Sequence, residues 1–184
     1  ILGIIRGVGA GTDSISWRAS VSASVRGLHD SDMEPDEIDA FSWLGSGIPS
    51  VDRHEIEGLA RTYGVGERKL PRPITTPLAR FGHLAAAAGL PSLLQGLEAV
   101  RSGKQPHVFG LSSLGDMATA HQWFVEPTKN NPTQIETAGN KPVVAVHLGD
   151  GKDSAFHVVM QSYSKIGLRG RDESSLLSGL QKPP

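Results

Sequence analysis

Apolar residues along this chain fall into short β-branched runs and longer helically spaced sets, separated by glycine, proline and acidic turns. Ile1 to Arg6 (ILGIIR) is a compact apolar run stopped by Gly7, Gly9 and Gly11. It reads as a buried strand, with Gly9 to Asp13 as the loop that follows. Ser14 is placed to cap a helix running to about Arg26, with Ile15, Ala19 and Val25 on its face and Gly27 as its stop. Ser31 to Glu37 is acidic, holds Pro35, and reads as a surface turn. Ile38 to Leu44 (IDAFSWL) alternates and predicts a second strand, and Gly45 to Ser50 (GSGIPS) predicts a loop. Ser50 would cap a helix whose Ile56, Leu59, Ala60 and Tyr63 share one face, ending at Gly64 and Gly66. Pro71 to Thr76 holds a short third strand. Phe81-Gly82-His83 leads into LAAAAGLPSLLQGLEAV, with Leu84, Ala88, Leu94, Leu97 and Val100 on its face and a kink at Pro91.

The second half is less regular. Pro106 to Asn140 reads as a polar excursion with one short strand near Trp123 to Val125. Lys141 to Leu148 and Ala155 to Ser162 predict two strong strands, joined as a hairpin by Gly149 to Asp153 (GDGKD). Gly167 to Pro184 is polar, with Leu176, Leu177 and Leu180 as a weak apolar set, and reads as a terminal helix or a linker. No internal repeat interrupts the order strand, helix, strand, helix, strand, helix, strand pair. Such alternation predicts an α/β fold, a layered mixed β-sheet with helices on both faces.

Composition narrows the function classes. The 184 residues suit one domain or half of a two-part fold, and 38% hydrophobic residues suffice for a core. Net charge is −1, from 18 Lys and Arg against 19 Asp and Glu, which argues against nucleic-acid binding and a polybasic membrane patch. No cysteine is present, so a disulfide scaffold, a thiolate zinc site and a cysteine nucleophile in this chain are excluded. No apolar run reaches the ~20 residues of a membrane span, and no signal peptide is visible. The start at Ile1 reads as the interior of a longer polypeptide, and a cytoplasmic location is expected.

The seven histidines offer no metal-ligand spacing: His54-Glu55 has no second histidine four residues after His54. GSGIPS lacks the GK[ST] of a P-loop and the G-x-S-x-G of a nucleophile elbow. GVGAG has the wrong register for a dinucleotide fingerprint, and GDGKD lacks the spacing of a calcium loop. Two constellations remain, each at a strand-to-helix junction, where sites gather in open α/β sheets. One is Leu44-Gly45-Ser46-Gly47-Ile48-Pro49-x-x-Asp52-x-x-Glu55; the other is Phe81-Gly82-His83-x-x-Ala86-Ala87-Ala88-Gly89. A histidine at a helix N-terminus is held neutral and can donate to a developing oxyanion. The alternative for His83 is a buried, hydrogen-bonded core residue.

These segments resemble the carboxy-terminal half of β-ketoacyl synthases of the thiolase superfamily, with the motifs H-G-T-G-T-x-x-G-D-x-x-E and K-S-x-x-G-H-x-x-x-A-A-G. Gly45, Gly47, Asp52 and Glu55 match the first motif, and Gly82, His83, Ala87, Ala88 and Gly89 the second. ILGIIRGVGAGTD is similar to the opening strand of that half, Arg101 to Pro106 to the turn after its long helix, and His157 to Gln161 to its closing strand. The resemblance implies a thiolase-like half-fold over residues 1–163, with 164–184 as a polar tail or linker. No cofactor and no metal are expected.

The departures carry the functional reading. The family's first catalytic histidine falls on Leu44 and its catalytic lysine on Leu78; only His83 is retained. The Gly-Phe-Gly-Gly-Thr-Asn loop before the last strand is replaced by GDGKDSA, and the nucleophilic cysteine belongs to an amino-terminal half absent from this chain. Leucine neither stabilises an enolate nor donates to an oxyanion, and one missing oxyanion donor costs about 10²–10³ in rate. The resemblance then implies a non-catalytic, chain-length-factor-like unit of a polyketide or polyunsaturated-fatty-acid synthase. Its partners would be an amino-terminal half of the same fold, an active ketosynthase whose acyl pocket it helps shape, and an acyl carrier protein. Two other readings stay open: half of an acyl-transferring or decarboxylating enzyme whose nucleophile lies on the amino-terminal half, with His83 as surviving donor, or a structural interaction module.

Overall fold

A computed structural model describes residues 3–64, 72–82, 84, 87–106, 108, 124–125, 133–137, 139, 141–149 and 153–163. The elements are β1 (Ile4–Thr12), α1 (Ser16–Ser31), a 3₁₀ turn (Pro35–Glu37), β2 (Ala40–Trp43), α2 (Pro49–Tyr63), β3 (Arg72–Thr75), α3 (Leu78–Phe81), α4 (Gly89–Ser102), β4 (Lys104–Gln105), β5 (Phe124–Val125), β6 (Thr133–Gln134), β7 (Val143–Gly149) and β8 (Ser154–Gln161). Six strands form one mixed sheet in the order β1-β8-β7-β2-β3-β5. β7, β2, β3 and β5 run parallel, while β8 is antiparallel to both β7 and β1. β4 and β6 pair separately.

The sheet is covered on both faces, as the alternation predicts. Val143, Ala145 and Val159 point to one side and join Leu28, Phe41, Ile56, Leu59 and Tyr63 beneath α1 and α2. Val144, Val146, Val158 and Met160 point to the other and pack with Ala99 and Val100 of α4. The period-2 geometry of the β7–β8 hairpin feeds both cores at once. Arg72 of β3 is a buried staple to the end of α2 and to the 3₁₀ turn: its guanidinium donates to the carbonyls of Ile38, just past that turn, Tyr63 and Pro35 at 2.8, 3.1 and 3.1 Å.

Three local expectations are corrected. The glycines at 7, 9 and 11 are not a loop; they lie inside the nine-residue β1 and face α1. A Cβ on Gly7, Gly9 or Gly11 would overlap the α1 backbone at Gly27, Ala23 and Ala19 respectively. α1 meets them with the small residues Ala19, Ala23, Gly27 and Ser31, so helix and strand pack backbone to backbone. For the same reason Gly27 does not stop α1, which runs on to Ser31 and closes at Asp32 in the left-handed conformation, and Ile15 rather than Ser14 stands at its N-cap. The free edge of β1 is closed by α1 side chains: Val8 N donates to Asp30 Oδ2 and Arg26 donates to Ala10 O, both at 2.9 Å.

The second correction is α2, which is capped at Ile48 with Pro49 at its first position, so Ser50 lies within the helix. The third is α4, which begins at Gly89, so Pro91 sits in its first turn, where a missing N–H costs no helical bond, and causes no kink. Its buried stripe is Ser92, Gly96, Ala99 and Val100; the expected Leu94 points away, 56% exposed beside Leu90 at 62%. Of the strand expected near Trp123 to Val125, Phe124–Val125 is present as β5, while Trp123 and the 164–184 segment lie outside the described residues.

Candidate functional site

β2, β3 and β7 are parallel, so their carboxyl ends open on one edge of the sheet. The loop after β2 is bound down at several points. Leu44 N donates to His147 O at 3.0 Å, and Gly45 and Gly47 hold φ of 59° and 75°, backbone that glycine adopts without strain. Asp52, in the first turn of α2, accepts from Ser46 N (2.7 Å), Ser46 Oγ (2.8 Å) and Gly47 N (2.9 Å). A carboxylate there also meets the positive end of the helix. Glu55, one turn on and buried, accepts from Gly149 N at 2.6 Å and Gly45 N at 3.4 Å. One side chain thereby ties the end of β7 to the loop after β2.

Spacing alone brought Gly45, Gly47, Asp52 and Glu55 together in sequence; the structure brings them together in space. Thr76 was not anticipated. Its hydroxyl donates to Leu44 O and accepts from Leu78 N at 3.1 Å, so it couples the two junctions. Leu44 and Leu78 consequently line one narrow crevice, with no room for a water molecule, together with Pro77, Phe81, Leu84 and Pro91. Gly82 closes its rim at φ 72°, where a side chain would be strained. His83 lies outside the described residues, as do residues 150–152 of the GDGKDSA segment. Beside the crevice, a wider cleft of about 440 Å³ runs over Phe81, Leu90 and Leu94, with Gln95 at its wall. Gln95 accepts from Ser42 and donates to Thr75, each at 3.1 Å, which pins α4 to β2 and β3.

The chemistry of this edge follows from its lining. The described side chains of the crevice are all apolar: none offers a proton, a donor or a nucleophile. The acids nearby are spent on backbone amides. Among the described residues, no three His, Cys, Asp or Glu side chains converge as metal ligands. The titratable groups of unusual character lie behind the edge. His147 and His157 are fully buried beneath α1 and α2, and burial pushes His147 down to about 4 and His157 well below the ordinary histidine value. Burial likewise raises Tyr63, against a smaller lowering by Arg72.

The sequence model of the family described as "Beta-ketoacyl synthase, C-terminal domain" matches residues 3–112, more than half of the chain. The chain belongs to this family. Relatives of this β-ketoacyl synthase C-terminal domain are large polyketide synthases. It is 30% identical over 135 residues to a phenolphthiocerol/phthiocerol polyketide synthase component of Mycobacterium tuberculosis, covering 71% of this chain and 7% of that one. It is 28% identical over 121 residues to a non-reducing polyketide synthase of Talaromyces marneffei, covering 62% and 7%. The domain superposes on ketosynthase twelve of the bacillaene polyketide synthase of Bacillus amyloliquefaciens with a TM-score of 0.79 at 17% identity, over 89% of this chain and 31% of that one. An oxazolomycin ketosynthase domain of Streptomyces albus gives 0.69 at 20% identity, over 89% and 30%. The thiolase-like ketosynthase fold is thus established, and the chain spans under a third of a ketosynthase structure and 7% of these synthases. No described helix is long and apolar enough to cross a membrane.

Proposed function

We propose that this domain is part of a non-catalytic, chain-length-factor-like ketosynthase unit of a polyketide or polyunsaturated-fatty-acid synthase. The observation that carries the reading is the crevice in which Leu44 and Leu78 stand together. By the family motifs these positions belong to a histidine and a lysine, the donors that condensation uses to stabilise developing negative charge. Two apolar side chains there remove both, while Asp52 and Glu55 keep the scaffold that would have held them. Selective loss of the chemistry with retention of the frame fits a partner subunit that shapes an acyl pocket and leaves the reaction to its neighbour.

The reading includes an amino-terminal half of the same fold seated over α4. Support comes from the exposed Phe81 (59%), Leu90 and Leu94 along the cleft, and from Ile5, Val8 and Phe156 on the same face of the sheet. Apolar exposure on this scale marks a contact surface. An active ketosynthase, an acyl carrier protein, a cytoplasmic location and the division at residue 163 belong to the same proposal.

An acyl-cysteine probe such as cerulenin, applied to the full-length protein purified with its bound partners, tests the reading. Labelling of a separate ketosynthase chain, with none on the polypeptide that carries this domain, is the expected result. Labelling of an amino-terminal half continuous with this domain would overturn it in favour of an enzyme that works through His83. No labelling anywhere would leave a structural interaction module.

A further inference from the structure

His147 of β7 and His157 of β8 are directly opposite in the hairpin register, and both are fully buried on the α1–α2 side of the sheet. Their Nδ1 atoms are 3.1 Å apart. The second nitrogen of His157 lies 2.6 Å from Tyr63 Oη on α2, and Ser24 Oγ of α1 approaches its Nδ1 at 3.4 Å. The Nε2 of His147 is buried and has no hydrogen-bond partner among the described residues. We infer that this cross-strand pair is an acid-sensitive latch that fastens the β7–β8 hairpin to α1 and α2 when neutral and releases it on taking up protons.

The geometry sets the proton capacity. An Nδ1–Nδ1 hydrogen bond needs one N–H and one lone pair, so two imidazolium rings would set two N–H groups face to face. One proton on His157 is compatible with the hydrogen bonds, since both of its N–H groups would then meet acceptors, but it is a buried charge. Neighbouring elements give no compensation. α1 presents Ser24 and Gly27, β1 presents Gly9 opposite His157, and β2 brings Phe41 and Trp43 into the same core. α2 contributes Tyr63 and Glu55, whose carboxylate is committed to the amides of Gly149 and Gly45, and β3 contributes the Arg72 cation against the Tyr63 ring. The latch lies two residues before Gly149, the point where Glu55 ties β7 to the loop after β2. Its release would therefore loosen the edge that bears Leu44.

The sign follows from linkage. The open form binds two protons at the ordinary histidine value of about 6.5 and the closed form at most one, so falling pH favours opening. Between about pH 7.5 and 5.5 the opening equilibrium rises about tenfold if the closed pair takes one proton, and about a hundredfold if it takes none. Hydrogen exchange of the full-length protein, corrected for intrinsic pH dependence, measures this at the β7 and β8 amides. A tenfold to hundredfold rise confined to the hairpin and its α1–α2 contacts, with α4 amides unaffected, is expected. A rise below threefold, or an equal rise throughout the molecule, would overturn the latch. His147→Gln should cut the response to tenfold or less; a variant that folds and keeps a hundredfold response would refute the assignment. Should that variant fail to fold, the imidazole Cε1–H resonances of the unmodified protein decide: two buried rings with no titration near 6.5 support the latch, and titration there rules it out.

Discussion

Removal of the Glu55 carboxylate is the sharpest structural perturbation available at this edge. Its oxygens accept from Gly149 N at 2.6 Å and Gly45 N at 3.4 Å, and all three residues are buried. A hydrogen bond to a charged acceptor contributes about 1.5–3 kcal/mol, and a buried N–H left without a partner costs about 1–3 kcal/mol. The 2.6 Å bond counts near the top of that range and the 3.4 Å bond near the bottom. Glu55→Ala should therefore destabilise the domain by about 3–5 kcal/mol, and Glu55→Gln, which keeps one acceptor oxygen, by about 1.5–3 kcal/mol. Urea unfolding of the full-length protein, followed at Trp43 in the adjacent core, measures both. Exchange at the Gly149 amide should rise more in the alanine variant than in the glutamine variant. A loss under about 1 kcal/mol for Glu55→Ala, with Gly149 still protected, would show that the carboxylate does not hold the two strand ends together.

Two further perturbations test the packing argument. Gly9→Val places side-chain atoms where the Ala23 carbonyl of α1 now lies; it should cost more than about 3 kcal/mol or prevent folding, read by circular dichroism and soluble yield, while Gly47→Ala, in open space, should cost about 1 kcal/mol from its positive φ alone. Arg72→Leu removes the donors to three carbonyls and should cost about 3–5 kcal/mol in the same unfolding assay; a loss under about 1 kcal/mol would mean that the 3₁₀ turn and the end of α2 are held by packing alone.

What could be read from the sequence was whatever rested on hydrophobic period. VVAVHLG and SAFHVVMQ alternate between two cores, and that alternation is legible because the hairpin has a covered layer on each side. The α2 face of Ile56, Leu59 and Tyr63 was legible for the same reason. The misread glycines share one cause. Glycine at 7, 9, 11 and 27 carries two meanings, a turn or a close backbone approach, and only the tertiary partner decides between them. The start of α4 was missed because proline is equally at home in the first turn of a helix and at a break.

At the site, motif spacing located Gly45, Gly47, Asp52, Glu55, Leu44 and Leu78, but not what joins them. Thr76 lies between a strand and a one-turn helix, and a single hydroxyl has no periodic signature. The histidine pair did have a signal: a hairpin centred on residue 152 sets 147 opposite 157. The charge pattern carried nothing comparable, because both histidines are silent until their burial is known.

Malonyl-carrier decarboxylation and acyl condensation, assayed on the full-length protein with and without an active ketosynthase partner, test the central claim most directly. No turnover above background is expected from this unit alone, turnover is expected only when the partner is present, and product chain length should shift on Leu78→Ala or Leu44→Ala. Condensation by this unit without a partner would contradict it, because Leu44 and Leu78 would then stand in a working active site.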